Sequence, residues 1–174
     1  EKARIKRASD RGTAYHRALE LIHFAEISGY DDIVKELDWI REEKRMQETA
    51  IDMVYPGVLT KFFHSDIAAR MKQADRNGKL WKESQFVVGI PAREMNKADS
   101  DALILLQGII DAFFEEDGKL VLVDYKTDYV ENSDILIRRY EAQVRYYTRA
   151  LEQMTGKRVA ERYLYSFRFG AIEV

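Results

Sequence analysis

The chain has 174 residues, 46% of them hydrophobic and 33% charged, with a formal net charge of −2. That is enough apolar content for one compact domain with a substantial core, and too balanced a charge for disorder or for coating nucleic acid by bulk attraction. The absence of cysteine excludes disulfides, thiolate zinc sites, cysteine nucleophiles and cysteine-ligated iron–sulfur clusters.

Lys2, Arg4, Lys6, Arg7 and Arg11 crowd the start and read either as a solvated face or as a local phosphate contact. No signal-peptide pattern opens the sequence and no apolar run approaches the ~18–20 residues that span a bilayer, so the expected setting is intracellular, in the cytoplasm and away from membranes. Thr13 is placed to cap a helix over 13–28, with Gly29 as its stop signal. His16 falls near the first turn, and Glu20 and His23 follow at i+4 and i+7 on one face. Those three either form a metal site on the helix or leave His16 as the functional member beside two surface residues. A second helix is expected over 32–45 and a third over 66–74, with His64 between them a loop or core histidine. Residues 76–79, Arg-Asn-Gly-Lys, form a turn, and 81–90 read as a strand with Phe86, Val88 and Ile90 on one face. Glu83 in that strand is either an exposed glutamate or the neighbour of a site. The polar stretch 92–100, with Asn96, reads as a loop which, like Asn77-Gly78, is placed to border a groove.

The most informative stretch comes next: Gly108-Ile-Ile-Asp111, then Asp117-Gly118, then Val123-Asp124-Tyr125-Lys126-Thr127. Asp-Gly between apolar runs signals a two-residue hairpin whose central residues both need positive φ. With those two as the loop, Glu116 faces Lys119 and Asp111 lies opposite Asp124, side chains on one face about 4.5–5.5 Å apart. Lys126, two residues on, returns to that face. Two carboxylates so close cannot both ionise cheaply unless a cation lies between them; a hard divalent ion, Mg²⁺ or Mn²⁺, removes the conflict. A structural Asp–Lys ion pair or an exposed polar pair is the competing account. Residues 128–133 then link to a helix over 134–155, which Gly156 ends, and 159–167 form a last strand. Gln143 and Tyr147 project side by side on that helix, either near a site or as a buried polar pair. Lys157, Arg158 and Arg162 make a second basic cluster. No repeats, low-complexity tracts or linker stand out, and no phosphate-loop motif of an ATP-driven motor is present.

Gly-Ile-Ile-Asp111 followed by Val-Asp124-Tyr-Lys126-Thr resembles the core motif of the PD-(D/E)XK nuclease superfamily, in its RecB-like branch. Gly12-Thr-Ala-Tyr-His16, Glu83-Ser-Gln-Phe86 and Gln143-Val-Arg-Tyr-Tyr147 resemble, in order, the branch's histidine motif, its segment before the core hairpin and its Gln-x-x-x-Tyr helix. The resemblance runs from about residue 10 to 167 and is greatest to the C-terminal nuclease domain of AddA-type helicase–nuclease proteins. It implies an α/β fold of the restriction-endonuclease type: a mixed central β-sheet flanked by helices, with a helical part over about 1–80 and a catalytic sheet core over about 81–174 in one nuclease domain. It implies a Mg²⁺-dependent deoxyribonuclease, Mn²⁺ substituting, that acts as an exonuclease on single strands during double-strand-break repair by recombination. Asp111, Asp124 and Lys126 take the catalytic places; His16, Asp111, Asp124 and the Tyr125 carbonyl those of metal ligands; Gln143 and Tyr147 contact DNA or support the site. The implied partners are DNA, a helicase domain in the same natural polypeptide and a separate AddB-type protein. The alternatives are a free-standing RecB-like nuclease, an inactive DNA-binding or docking module, and a small-molecule phosphatase, the last disfavoured by the lack of a phosphate-cradling glycine loop.

Overall fold

A computed structural model describes the backbone of residues 2–95 and 102–174 and the side chains of 9–94 and 102–174. The side chains of Lys2, Arg4, Lys6 and Arg7, and residue Asn96, lie outside the described set. No described helix is long and apolar enough to cross a membrane.

Helix α1 (Lys2–Leu21) is followed by a 3-10 turn (Phe24–Glu26) and by α2 (Tyr30–Glu42), α3 (Glu48–Ile51), α4 (Pro56–Phe63) and α5 (Asp66–Arg76). The first helix starts well before Thr13, whose hydroxyl donates to the carbonyl of Ser9 inside the helix instead of capping it. Gly29 is likewise the N-cap of α2 and not the end of α1; the Ser28 N–H finds its partner in the Asp32 carboxylate. Neither α3 nor α4 is expected from the sequence pattern because both are short, although Pro56 at the start of α4 marks a helix entry. Ser65 caps α5 by accepting from the Ala68 N–H, and His64 is exposed at the α4 end.

The sheet comprises β1 (Leu80–Pro91), β2 (Leu103–Glu116), β3 (Lys119–Lys126), β4 (Val159–Ser166) and β5 (Gly170–Glu173), in that spatial order. Every neighbouring pair is antiparallel except β3–β4, which is parallel and joined by α6 (Ser133–Thr155). Asn132 caps α6 at its start and Gly156, at φ 69°, ends it. The single last strand expected over 159–167 is thus a hairpin, turned at residues 167–169. The sheet is the mixed α/β arrangement expected. Asp117 and Gly118 carry φ of 50° and 76°, as their turn requires, and Glu116 pairs with Lys119.

One apolar core lies between the sheet and α1–α5, built on Phe24, Phe62, Phe63, Ala112, Phe114, Val123 and Tyr165. The other lies under α6 and holds Phe86, Val88, Ile90, Ile110, Phe113, Leu122 and Leu136. Even-numbered residues of β1 and β2 change sides between the two. Phe86 and Ile110 face α6, whereas Leu80, Ala112 and Phe114 face the N-terminal helices. The change falls where the β1–β2 ladder skips from Lys82–Ala112 to Ser84–Ile110, at Glu83 and Asp111. Glu83 there has φ 49°, a conformation that costs a non-glycine residue about 1–3 kcal/mol. Arg70 of α5 ties helices to sheet by reaching Glu116 of β2 and Glu161 of β4 across the Phe114 ring.

Candidate metal centre

The irregularity at Glu83 and Asp111 opens the sheet toward α1. Two contacts fix that helix. Its last carbonyls need donors, and the Ile22 carbonyl accepts from Lys82 Nζ at 2.7 Å, the ammonium lying 4.9 Å from the centre of the Phe24 ring. At the other contact Gly12 passes so close to β3 that a Cβ there would stand 2.6 Å from Thr127 Oγ1. Between these two anchors His16 turns toward the sheet, its ring edge-on to Tyr125 at 5.8 Å.

His16 Nδ1 lies 3.1 Å from Asp111 Oδ1. The other Asp111 oxygen accepts from the Tyr125 N–H at 2.8 Å. The β2–β3 ladder runs only as far as Ala112–Val123, so the carboxylate takes up an amide beyond its last pair. The register expected from the turn holds as far as that pair, and Asp111 and Asp124 lie just beyond it, where the ladder ends. Glu83 closes the cluster: one ligand atom each from His16, Glu83 and Asp111 lie within 4.8 Å of one another. The sequence pattern singles out the Glu83 segment but not Glu83 itself as a ligand.

Asp124 is buried beside them, and Lys126 Nζ stands 2.5 Å from its Oδ2. The same ammonium donates to Gln143 Oε1 at 3.0 Å and sits 3.8 Å from the centre of the Tyr140 ring. Gln143 Nε2 in turn donates to the Tyr147 hydroxyl at 2.9 Å. The i, i+4 pair on α6 thus holds Lys126 from behind. All six side chains named from the sequence, His16, Asp111, Asp124, Lys126, Gln143 and Tyr147, meet here, and Tyr125 contributes its N–H. Glu20 and His23 do not: Glu20 pairs with Arg17, and His23 Nδ1 with Glu36. A three-ligand site on one helix is not formed. Of the second basic cluster, Lys157 pairs with Glu115 and Arg162 donates to the Val174 carbonyl.

Burial, and then the charge of Asp111, push the Asp124 carboxyl up to about 7. Burial and Asp111 also raise Glu83. For His16 burial works toward the neutral ring, but the Asp111 hydrogen bond and the nearby carboxylates outweigh it and raise its pKa. Three carboxylates are therefore held together against their own repulsion, which the imidazole partly offsets. Apart from the ion pair with Lys126, Asp124 Oδ2 is buried without a hydrogen bond among the described residues, leaving lone pairs free. An oxygen-rich donor set with one imidazole suits a hard divalent cation, and the residues present fit one.

A family model of the PD-(D/E)XK nuclease superfamily matches residues 1–172. Among curated relatives, an ATP-dependent helicase/nuclease subunit from Lachnoclostridium phytofermentans is 34% identical over 200 residues, covering 94% of this chain and 14% of its own length. The protein of that name from Clostridium botulinum is 37% identical over 165 residues, covering 92% and 13%. The one from Clostridium novyi is 32% identical over 181 residues, covering 100% and 14%. The chain thus spans 13–14% of the length of these relatives.

Proposed function

Since this chain belongs to the PD-(D/E)XK nuclease superfamily, we propose that it is a metal-dependent deoxyribonuclease domain that hydrolyses single-stranded DNA from an end. The observation that carries the reading is the meeting of His16, Glu83 and Asp111 beside the buried Asp124–Lys126 pair. Asp111, Asp124, His16 and Glu83, with the Tyr125 carbonyl, are the groups that would hold Mg²⁺, or Mn²⁺ in its place. The chemistry such an ion supplies is polarisation of the scissile phosphate and a lowered pKa for water.

The chain's own residues do the rest. The Asp111 carboxylate is oriented from both sides, by His16 and by the Tyr125 N–H, so its lone pairs are aimed without reorganisation. Lys126, held by Gln143, Tyr140 and Asp124, keeps its ammonium beside the carboxylates. There it orients the attacking water and offsets charge that builds on the phosphate oxygens. Tyr147 locks the Gln143 amide and through it the position of Lys126.

The relatives' name couples a helicase to a nuclease, and the share of their length matched supports a place in a longer polypeptide. We read residues 1–174 as its single nuclease domain, fed unwound strands by a helicase, working in the cytoplasm with an AddB-type partner in double-strand-break repair. The test is incubation of the purified chain with end-labelled single-stranded DNA in Mg²⁺, Mn²⁺ or EDTA, beside Asp124→Ala. Cutting that needs metal and vanishes in the variant is expected; equal cutting by the variant removes the assignment. Metal binding without cutting would instead favour a docking module that acts only with the missing helicase.

A further inference from the structure

A cavity of about 350 Å³ opens beside Thr127, the residue after Lys126, within the about 300–1,000 Å³ range of small-ligand sites. Its walls include Arg11 and Tyr15 of α1, Tyr55 before α4, Thr127 and Tyr129 after β3, and Arg168 in the β4–β5 turn. Two elements that build the metal centre, α1 and the end of β3, also contribute here. Arg11 lies one and a half turns before His16 on α1, and Thr127 directly follows Lys126.

Two walls are aromatic and unusually open for their size: Tyr129 is 86% and Tyr55 58% exposed. Neither is loose. The Arg168 guanidinium lies 4.3 Å from the centre of the Tyr129 ring and 5.1 Å from that of Phe169, while donating to the Val130 carbonyl. The turn that carries it is pinned as well, because the N–H groups of Arg168 and Phe169 both donate to the buried Ser166 Oγ. Tyr55 is held by its N–H, which donates to the Tyr15 hydroxyl at 3.1 Å. The acid in the wall, Asp128, is already compensated by Arg139 and by the Tyr140 hydroxyl. Arg11 is exposed and forms no ion pair among the described residues.

Exposed aromatic rings, one of them backed by a guanidinium, next to uncommitted positive charge form the arrangement that holds single strands: bases stack on rings while cations meet the backbone. We propose that this cavity is a nucleotide subsite. Tyr129 stacks a base of single-stranded DNA, with Tyr55 as the opposite wall and Arg11 against a phosphate, next to the bond presented to the metal centre. The inference takes the strand's identity from the nuclease reading above. It adds that grip on the strand depends on a base at one position, and not on phosphate charge alone.

The experiment places the chain in an Asp124→Asn background, which removes cutting, and measures anisotropy of labelled oligothymidylate, intact or with one abasic position scanned along it. The intact strand should bind more tightly than the strand abasic at the occupied position, by about tenfold if stacking has its usual strength. Tyr129→Ala should bind both alike at the weaker level, and Tyr129→Phe should keep the difference. Because Tyr129 is outside both cores, thermal melting of the three variants should coincide. A strand bound equally well with and without its bases overturns the proposal, as does base dependence that survives Tyr129→Ala. If the cleavage test above fails while base-dependent binding through Tyr129 persists, the nuclease reading falls and the subsite stands. Cleavage with no base dependence gives the reverse.

Discussion

Gly108→Ala tests whether the support behind Lys126 is as tight as it looks. A Cβ at Gly108 would lie 2.9 Å from Phe86 Cε1 and Cζ and 3.7 Å from the Tyr147 ring. Comfortable carbon contacts begin near ~3.5 Å, so ring or strand must shift by roughly 0.6 Å. Phe86 has little room to yield, being 3% exposed and edge-on to Tyr147 at 5.4 Å. Overpacking of this kind costs about 1–3 kcal/mol, which a urea melt resolves. The displacement should also travel from Tyr147 through Gln143 to Lys126. Misplacement on the order of 1 Å can cost about a hundredfold in rate, so a loss of about tenfold in kcat is expected. Gly89→Ala is the control: the nearest atoms to its Cβ belong to the Leu103 side chain, at 3.4 Å and beyond, and Leu103 is 65% exposed and free to turn. Trimming the obstructing ring in Gly108→Ala/Phe86→Leu should recover part of the rate. A Gly108→Ala chain as stable and as active as the parent would refute both the packing argument and the relay.

Three more outcomes are expected. Asp111→Asn should abolish cutting and weaken Mn²⁺ binding, read by calorimetry, while circular dichroism stays unchanged; tight binding in that variant would remove Asp111 from the donor set. Glu83→Gly should melt higher, since it relieves positive φ and takes away a half-buried carboxylate, yet bind Mn²⁺ on the order of 10–100-fold more weakly; Glu83→Gln, which keeps the strained backbone, should lose the metal without gaining as much stability. The Arg70 hydrogen bonds hold the Glu161 carboxyl down at about 2 against an ordinary 4.5, so its contribution is complete above pH 4.5 and lost as pH falls through about 2. Glu161→Gln should therefore flatten the acid limb of a melting-temperature profile between those pH values, and an unaltered limb would show the Arg70 bridge to be idle.

Much of the fold can be read where local chemistry is strong. Asp117-Gly118 set a register that the structure keeps from Glu116–Lys119 to Ala112–Val123. Gly156 ends α6 as expected because a left-handed residue is what that end requires, whereas Asn132, its N-cap, falls in the stretch that reads as a linker. The reading fails where local signals conflict. Thr13 is a good cap in isolation, but Ala14 and Ala18 beside it are buried in the core shared by the N-terminal helices and the sheet, and helix packing outweighs cap preference there. The short helices α3 and α4 are too brief to show a period, and β5 is only four residues long.

The site divides along the same line. Asp111, Asp124 and Lys126 are legible because a tight turn ties their strands within a few residues. Glu83 is not, because β1 meets β2 through a long connection, and nothing in that segment states which residue will face Asp111. Nor does a glutamate advertise positive φ, which sequence reasoning assigns to glycine or asparagine. Its conformation is imposed by the two cores: β1 must present Phe86 to α6 and Leu80 to the N-terminal helices, and the strand can change faces only by breaking alternation between them. The break falls at Glu83, opposite Asp111, and that is how a strained residue comes to aim a carboxylate at the cluster. Packing on both faces of the sheet therefore sustains what the centre itself disfavours: like charges, a lone acceptor and a left-handed glutamate. The sign of a stability change should then separate the two kinds of residue, with removal of Glu83 raising the melting temperature and truncation of Phe62 or Phe86 lowering it.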